Sequence, residues 1–186
     1  MLILGIGNAD RADDAAGVLV ARRLWALGID AREHTGDPLA LIDAWDGAGE
    51  AILIDSVVSG AAPGTITKWD AGKTPLPPDR FCCSTHAFGL AEAVEIARSL
   101  GRLPARLLIY GIEGARFELG GAPSVEVADA VERVAQEIEH TASSGDPVRQ
   151  GVSWTHAVAG THCSRSRDPG WQAGDPRDSS GRRVHP

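Results

Sequence analysis

At 186 residues and 43% apolar content, the chain has the size and composition of one well-buried domain. Its formal net charge of −7 excludes nucleic acid and acidic membranes as main partners, because both attract basic patches. No run approaches the roughly 20 consecutive apolar residues of a membrane helix, and Met1-Leu2-Ile3-Leu4-Gly5 carries no basic leader, so a cytoplasmic location is expected.

Taken in order, short runs rich in Ile, Leu and Val alternate with helical patterns. Residues 2–6 read as a strand. The helix expected over 13–27 puts Val20, Leu24 and Leu27 on one broad face around Gly17 and Ala21, with Arg22 and Arg23 turned away, so it should lie flat on a sheet. A strand over 30–34, a helix over 38–45 and a strand over 51–55 follow. The next strand, over 65–69, begins after only nine residues that include Pro63-Gly64. That is too short for a helical crossover, so this strand should run antiparallel or sit at an edge. A helix over 86–100 and a strand over 107–112 come next. The last helix starts from Pro123, a residue suited to a first helical turn, and carries Val127, Val131, Val134 and Ile138 at i, i+4, i+7 and i+11. The alternation predicts an α/β fold, a three-layer α/β/α sandwich around a mainly parallel sheet of about five strands.

The composition changes near His140. Residues 141–186 hold no Leu, Ile, Phe, Tyr or Met, and 17 of the 46 are Gly, Pro or Ser. Such a segment buries too little apolar surface to offset its ordering entropy, so a domain over 1–140 with a disordered tail over 141–186 is expected. Cys82 and Cys83 are adjacent and Cys163 lies in the tail, so no disulfide framework is indicated.

Three separated segments carry side chains suited to one metal: Gly5-Ile6-Gly7-Asn8 running into Asp13-Asp14, the strand end Ile54-Asp55, and Ser84-Thr85-His86. Two carboxylates and an imidazole suit borderline divalent ions such as nickel or zinc, and three ligands leave positions open for a second molecule. Asp13 and Asp14 have an alternative role as helix caps. Asp55 ends an apolar run, at the carboxyl end of an interior strand, where open α/β sheets bind ligands. Ser84-Thr85 reads as an N-cap that leaves His86 in a first helical turn. Cys83 offers a soft fourth ligand or simple packing. Gly5-Ile6-Gly7, with Glu33 on the next strand, partly matches a dinucleotide fingerprint. Asp10 replaces its third glycine, and the acidic pair would oppose a pyrophosphate. No G-x-S-x-G elbow occurs.

The order of these segments resembles the hydrogenase maturation endopeptidases. The matching pieces are Gly5-Ile6-Gly7-Asn8 with Asp13-Asp14-Ala15-Ala16-Gly17-Val18, Thr35-Gly36, Ile54-Asp55-Ser56-Val57 with Ala62-Pro63-Gly64-Thr65, Ser84 through Leu90, Gly111-Ile112-Glu113, and Pro123-Ser124-Val125. The resemblance implies that Asp14, Asp55 and His86 hold the metal, with Asp14 standing where many relatives have Glu. It implies a protease that removes the C-terminal extension of a nickel-iron hydrogenase large-subunit precursor after nickel insertion; a monomer is expected. Nickel would then arrive with the substrate, zinc would substitute in vitro, and Thr35-Gly36 would help select the partner. The other function consistent with the same ligands is a non-catalytic nickel-site checkpoint or chaperone for that precursor.

Overall fold

A computed structural model describes residues 1–76 and 90–143. Its sheet is built from β1 (Leu2–Ile6), β2 (Arg32–His34), β3 (Glu50–Val57), β4 (Ile66–Asp70) and β5 (Arg106–Glu113) in the order β2-β1-β3-β5-β4. All neighbours are parallel except β4, which pairs antiparallel with β5 at the edge, Ile66 opposite Ile112. The short link through Pro63-Gly64 therefore does what its length requires. Strand β2 begins at Arg32, two residues later than expected from sequence.

Both sheet faces are covered, which explains why the central strands are apolar at nearly every position. On one face, Ile3, Ile52, Ile54, Leu108, Tyr110 and Ile112 pack with α1 (Ala16–Ala26) and α4 (Val125–Ser143). On the other, Leu4, Leu53, Leu107 and Ile109 pack with α2 (Pro38–Trp45) and α3 (Leu90–Ser99). The α/β/α sandwich is thus present, with the period of two in each strand assigning residues to its two cores.

The helices differ from expectation mainly at their starts. The segment read as one helix over 13–27 opens with a 3₁₀ turn, Ala12–Ala15, before α1 begins. Leu27 is half-buried past the end of α1, whereas Val20, Ala21 and Leu24 are buried. Pro123 lies ahead of α4, and Val127, Val131, Val134 and Ile138 all face the core. That helix continues to Ser143, beyond the expected boundary at His140. Asp37 caps α2, its Oδ1 accepting the Ala40 amide at 2.8 Å. The expected tail beyond Ser143, and residues 77–89 with Cys82, Cys83 and His86, lie outside the described residues.

Glycine permits the close contact between α1 and the sheet. A Cβ on Gly17 would stand 2.3 Å from the carbonyl oxygens of both Ile6 and Ile54, and one on Gly5 would stand 2.0 Å from the Gly17 carbonyl oxygen. These glycines are filled by protein backbone, and Glu33 is engaged in a bidentate pair with Arg22 at 2.8 and 3.0 Å. Helix packing accounts for the partial dinucleotide fingerprint.

Candidate active site at the carboxyl rim of the sheet

Strand β1 stops at Ile6, next to Ile54 through Gly5, while β3 runs on to Val57. The 3₁₀ turn occupies the ground beyond the shorter strand. It carries Asp13 and Asp14, both with no exposed surface, to the carboxyl end of β3. There the Ser56 hydroxyl donates to Asp14 Oδ1 at 3.4 Å. Asp14 thereby reaches β3 at the residue directly after Asp55.

Asp55 is also buried, and its Oδ1 accepts the Ser56 amide at 2.8 Å. Strand alternation sets Asp55 on the side of Leu53 and Val57, toward α2 and α3, and Ser56 on the side of Ile54, toward α1 and α4. The two carboxylates flank one strand end. Oxygen donors of this kind fit a hard or borderline divalent ion, and an added imidazole would favour nickel or zinc. Among the described residues no group of three or more His, Cys, Asp or Glu side chains forms a complete cation cage. Asp14 and Asp55 both lie at this rim, and His86 belongs to a segment outside the described residues.

Asp13 serves a different purpose from Asp14. Its carboxylate accepts three backbone amides, those of Ala115 and Arg116 at 2.9 Å each and that of Ser124 at 2.6 Å. Burial alone would raise its pKa, but the Ser124, Ala115 and Arg116 amides outweigh that effect and hold the group below its ordinary value. Capping is therefore correct for Asp13 in kind and wrong in address. The 3₁₀ turn has no side-chain cap of its own, and Asp13 instead places its charge at the start of α4, where exposed amides favour an anion.

Glu113 is a further buried carboxylate that sequence reasoning left without a role. It ends β5 beside Val57 and accepts the Ser59 amide, the Ser59 hydroxyl and the Gly60 amide, with its nearest contacts at 2.8 and 2.9 Å. The signal that singled out Asp55, a carboxylate at the end of an apolar strand run, was present here as well. Among the described residues the buried polar or charged side chains are Asp13, Asp14, Asp55, Ser56 and Glu113, all at this rim.

Thr35 and Gly36 follow β2 at the same end of the sheet. Thr35 is exposed, while Gly36 is buried with φ of +85° and its amide donates to His34 Nδ1 at 2.9 Å. The positive φ suits glycine, and the turn leads directly into the capped start of α2.

The profile of the hydrogenase maturation proteases, HycI, matches residues 36–141. The hydrogenase expression/formation protein HupD of Rhodobacter capsulatus is 25% identical over 191 residues, covering 99% of this chain and 90% of that protein. HupD of Thiocapsa roseopersicina is 26% identical over 157 residues, covering 81% and 71%. Among solved structures, the [NiFe] hydrogenase maturation protease HybD from Thermococcus kodakarensis is similar at 26% identity and a TM-score of 0.63, over 76% of this chain and 97% of that one. The endopeptidase HycI from Escherichia coli shares the fold, with a TM-score of 0.62 at 23% identity over 76% and 90% of the two chains. With more than half of its length matched by the family profile, the chain belongs to the hydrogenase maturation protease family.

Proposed function

We propose that this chain is the endopeptidase that removes the C-terminal extension of a nickel-iron hydrogenase large-subunit precursor, and that it recognises nickel already inserted in that substrate. Family membership supports the protease class. The observation that carries the finer reading is the gathering of buried charge at the carboxyl rim, with Asp14 and Asp55 flanking one strand end. Buried carboxylates are costly unless they are hydrogen-bonded, paired or bound to a metal. A cation presented by the substrate would give both carboxylates a shared partner.

His86 is the proposed third ligand. It precedes Leu90, the first residue of α3, by four residues. Helix α3 leads back to the amino end of β5, so it starts on the carboxyl side of the sheet, and it packs on the face that Asp55 shares with Leu53. Asp14, Asp55 and His86 would orient the nickel-bearing end of the precursor so that the scissile peptide lies beside the rim. Nickel there supplies Lewis-acid polarisation of a carbonyl or activation of a water. The ion belongs to the substrate, and zinc is the expected substitute in vitro. Thr35 and Gly36, at the same end of the sheet, are assigned to choosing among precursors.

The precursor is the proposed partner, and the cytoplasm, where the protein acts as a monomer, is the proposed location. No helix among the described residues is long and apolar enough to cross a membrane. The deciding experiment incubates the purified full chain with nickel-loaded and nickel-free precursor and follows mass. Loss of the extension only from the loaded precursor is expected, and His86→Ala should abolish it. A stable complex with intact loaded precursor would instead favour a non-catalytic checkpoint, and equal trimming of both precursors would remove nickel from the reading.

A further inference from the structure

Asp13 and Asp14 are adjacent, yet their carboxylates meet separate groups. Asp14 meets Ser56 on β3, whereas Asp13 accepts the amides of Ala115, Arg116 and Ser124. The Asp13 amide returns a bond to the Arg116 carbonyl at 2.9 Å. Nearby, the Gly120 amide donates to the Asp10 carbonyl at 2.7 Å, and Arg11 Nε donates to the Phe117 carbonyl at 3.2 Å. The 3₁₀ turn is thus stitched to the link between β5 and α4.

On its other side the turn rests on Gly7, the residue that follows β1. A Cβ on Gly7 would stand 2.0 Å from the Asp14 carbonyl oxygen, so the two backbones are in direct contact. Ala12, ahead of Asp13, has φ of +36°, a left-handed conformation that alanine adopts only when its surroundings enforce it. Backbone packing on one face and the Asp13 hydrogen bonds on the other leave the Asp14 main chain little freedom.

We propose that Asp13 is a positioning residue for Asp14, fixing the turn from which that carboxylate meets the substrate's ion. The inference rests on the reading of Asp14 as a ligand to nickel carried by the precursor. An ion arriving on a macromolecule meets its ligand productively only if the ligand is already in place, and supporting hydrogen bonds supply that preorganisation.

The test uses the full chain and the variants Asp13→Asn, Asp14→Ala and Glu137→Gln. Asparagine keeps the shape of Asp13 and one acceptor oxygen but turns an NH₂ group toward amide donors, so the turn loosens without losing its bulk. Glu137, on α4, bonds Lys68 of β4 and Tyr110 of β5 away from the acidic rim, and serves as the structural control. Two quantities are read below the melting onset of every variant: kcat/KM for trimming nickel-loaded precursor, and the Kd for Ni²⁺ alone by titration calorimetry. For Asp13→Asn, kcat/KM should fall and the Kd should rise by about 10- to 100-fold, the range for losing a partner behind a metal ligand. Glu137→Gln should match the wild type in both. Asp13→Asn behaving like Glu137→Gln, while Asp14→Ala has lost both activities, overturns the positioning role alone. Wild-type behaviour of Asp14→Ala overturns the ligand reading and the inference with it.

Discussion

Single carboxylates at one strand end have separate roles, and burial together with hydrogen-bond partners separates them. Glu113 ends β5 and Asp55 lies two residues before the end of its parallel neighbour β3, with Asp55 beside Gly111 and Val57 beside Glu113. Glu113 spends its acceptor capacity on the Ser59 and Gly60 segment that leads away from β3. Replacing it with alanine would leave two buried or half-buried amides and a hydroxyl without their acceptor. Glu113→Ala should therefore cost about 2–3 kcal/mol, measured by urea denaturation, because the lost bonds go to a charged group. A loss below about 0.5 kcal/mol, the size of an ordinary surface change, would mean that water replaces the carboxylate. At this scale the sequence was informative about Asp55, and for Asp13 it suggested a cap but not the helix that the cap serves. Asp55 is marked by the apolar run before it. The partners of Asp13 lie more than 100 residues away along the chain, and no local pattern announces such a contact.

Elements meet the sheet through chosen small residues. Helix α1 presses on β1 and β3 at Gly17, where backbone oxygens rather than flexible side chains bound the space. Gly17→Ala should destabilise by about 3 kcal/mol, the upper part of the range for overpacking, because neither Ile6 nor Ile54 can move without opening the parallel sheet. Denaturant unfolding of that variant checks the value, and unchanged stability would show that α1 shifts outward freely. The same contact brings the 3₁₀ turn to the end of β3, so the glycine acts on packing first and on the site through packing. At the far edge, Lys68 of β4 bonds Glu137 of α4, and Tyr110 donates to the same carboxylate at 3.0 Å. Burial, then the Glu137 charge and its hydrogen bond, push the Tyr110 phenol well above its ordinary range, so it remains a donor. This cluster fastens the antiparallel edge strand to the outer helix layer. The sequence indicated that β4 would run antiparallel or sit at an edge, through the length of its connection, but not which helix would hold it.

At the scale of the molecule, the described cores lie within the acidic part of the chain. The last residue of either core among the described residues is Ile138, and α4 ends at Ser143. Residues 1–140 hold 12 basic and 21 acidic side chains, leaving the remainder with a net charge of +2. A chain ending at Ser143 should keep a cooperative thermal transition and trim precursor like the full chain, since the described cores and the proposed ligands all precede that point. Calorimetry and the mass assay test this together, and loss of cooperative melting would assign the removed segment a part in the fold. The sequence by itself determined the class of fold, the five strands, the faces of α1 and α4 and the candidate carboxylates. Each follows from local periodicity, chain length between elements or the end of an apolar run. Only the tertiary structure decided the strand order, the route by which Asp14 reaches Ser56 and the engagement of Asp13 with the start of α4. Those depend on contacts between segments far apart in the chain, which no local pattern marks.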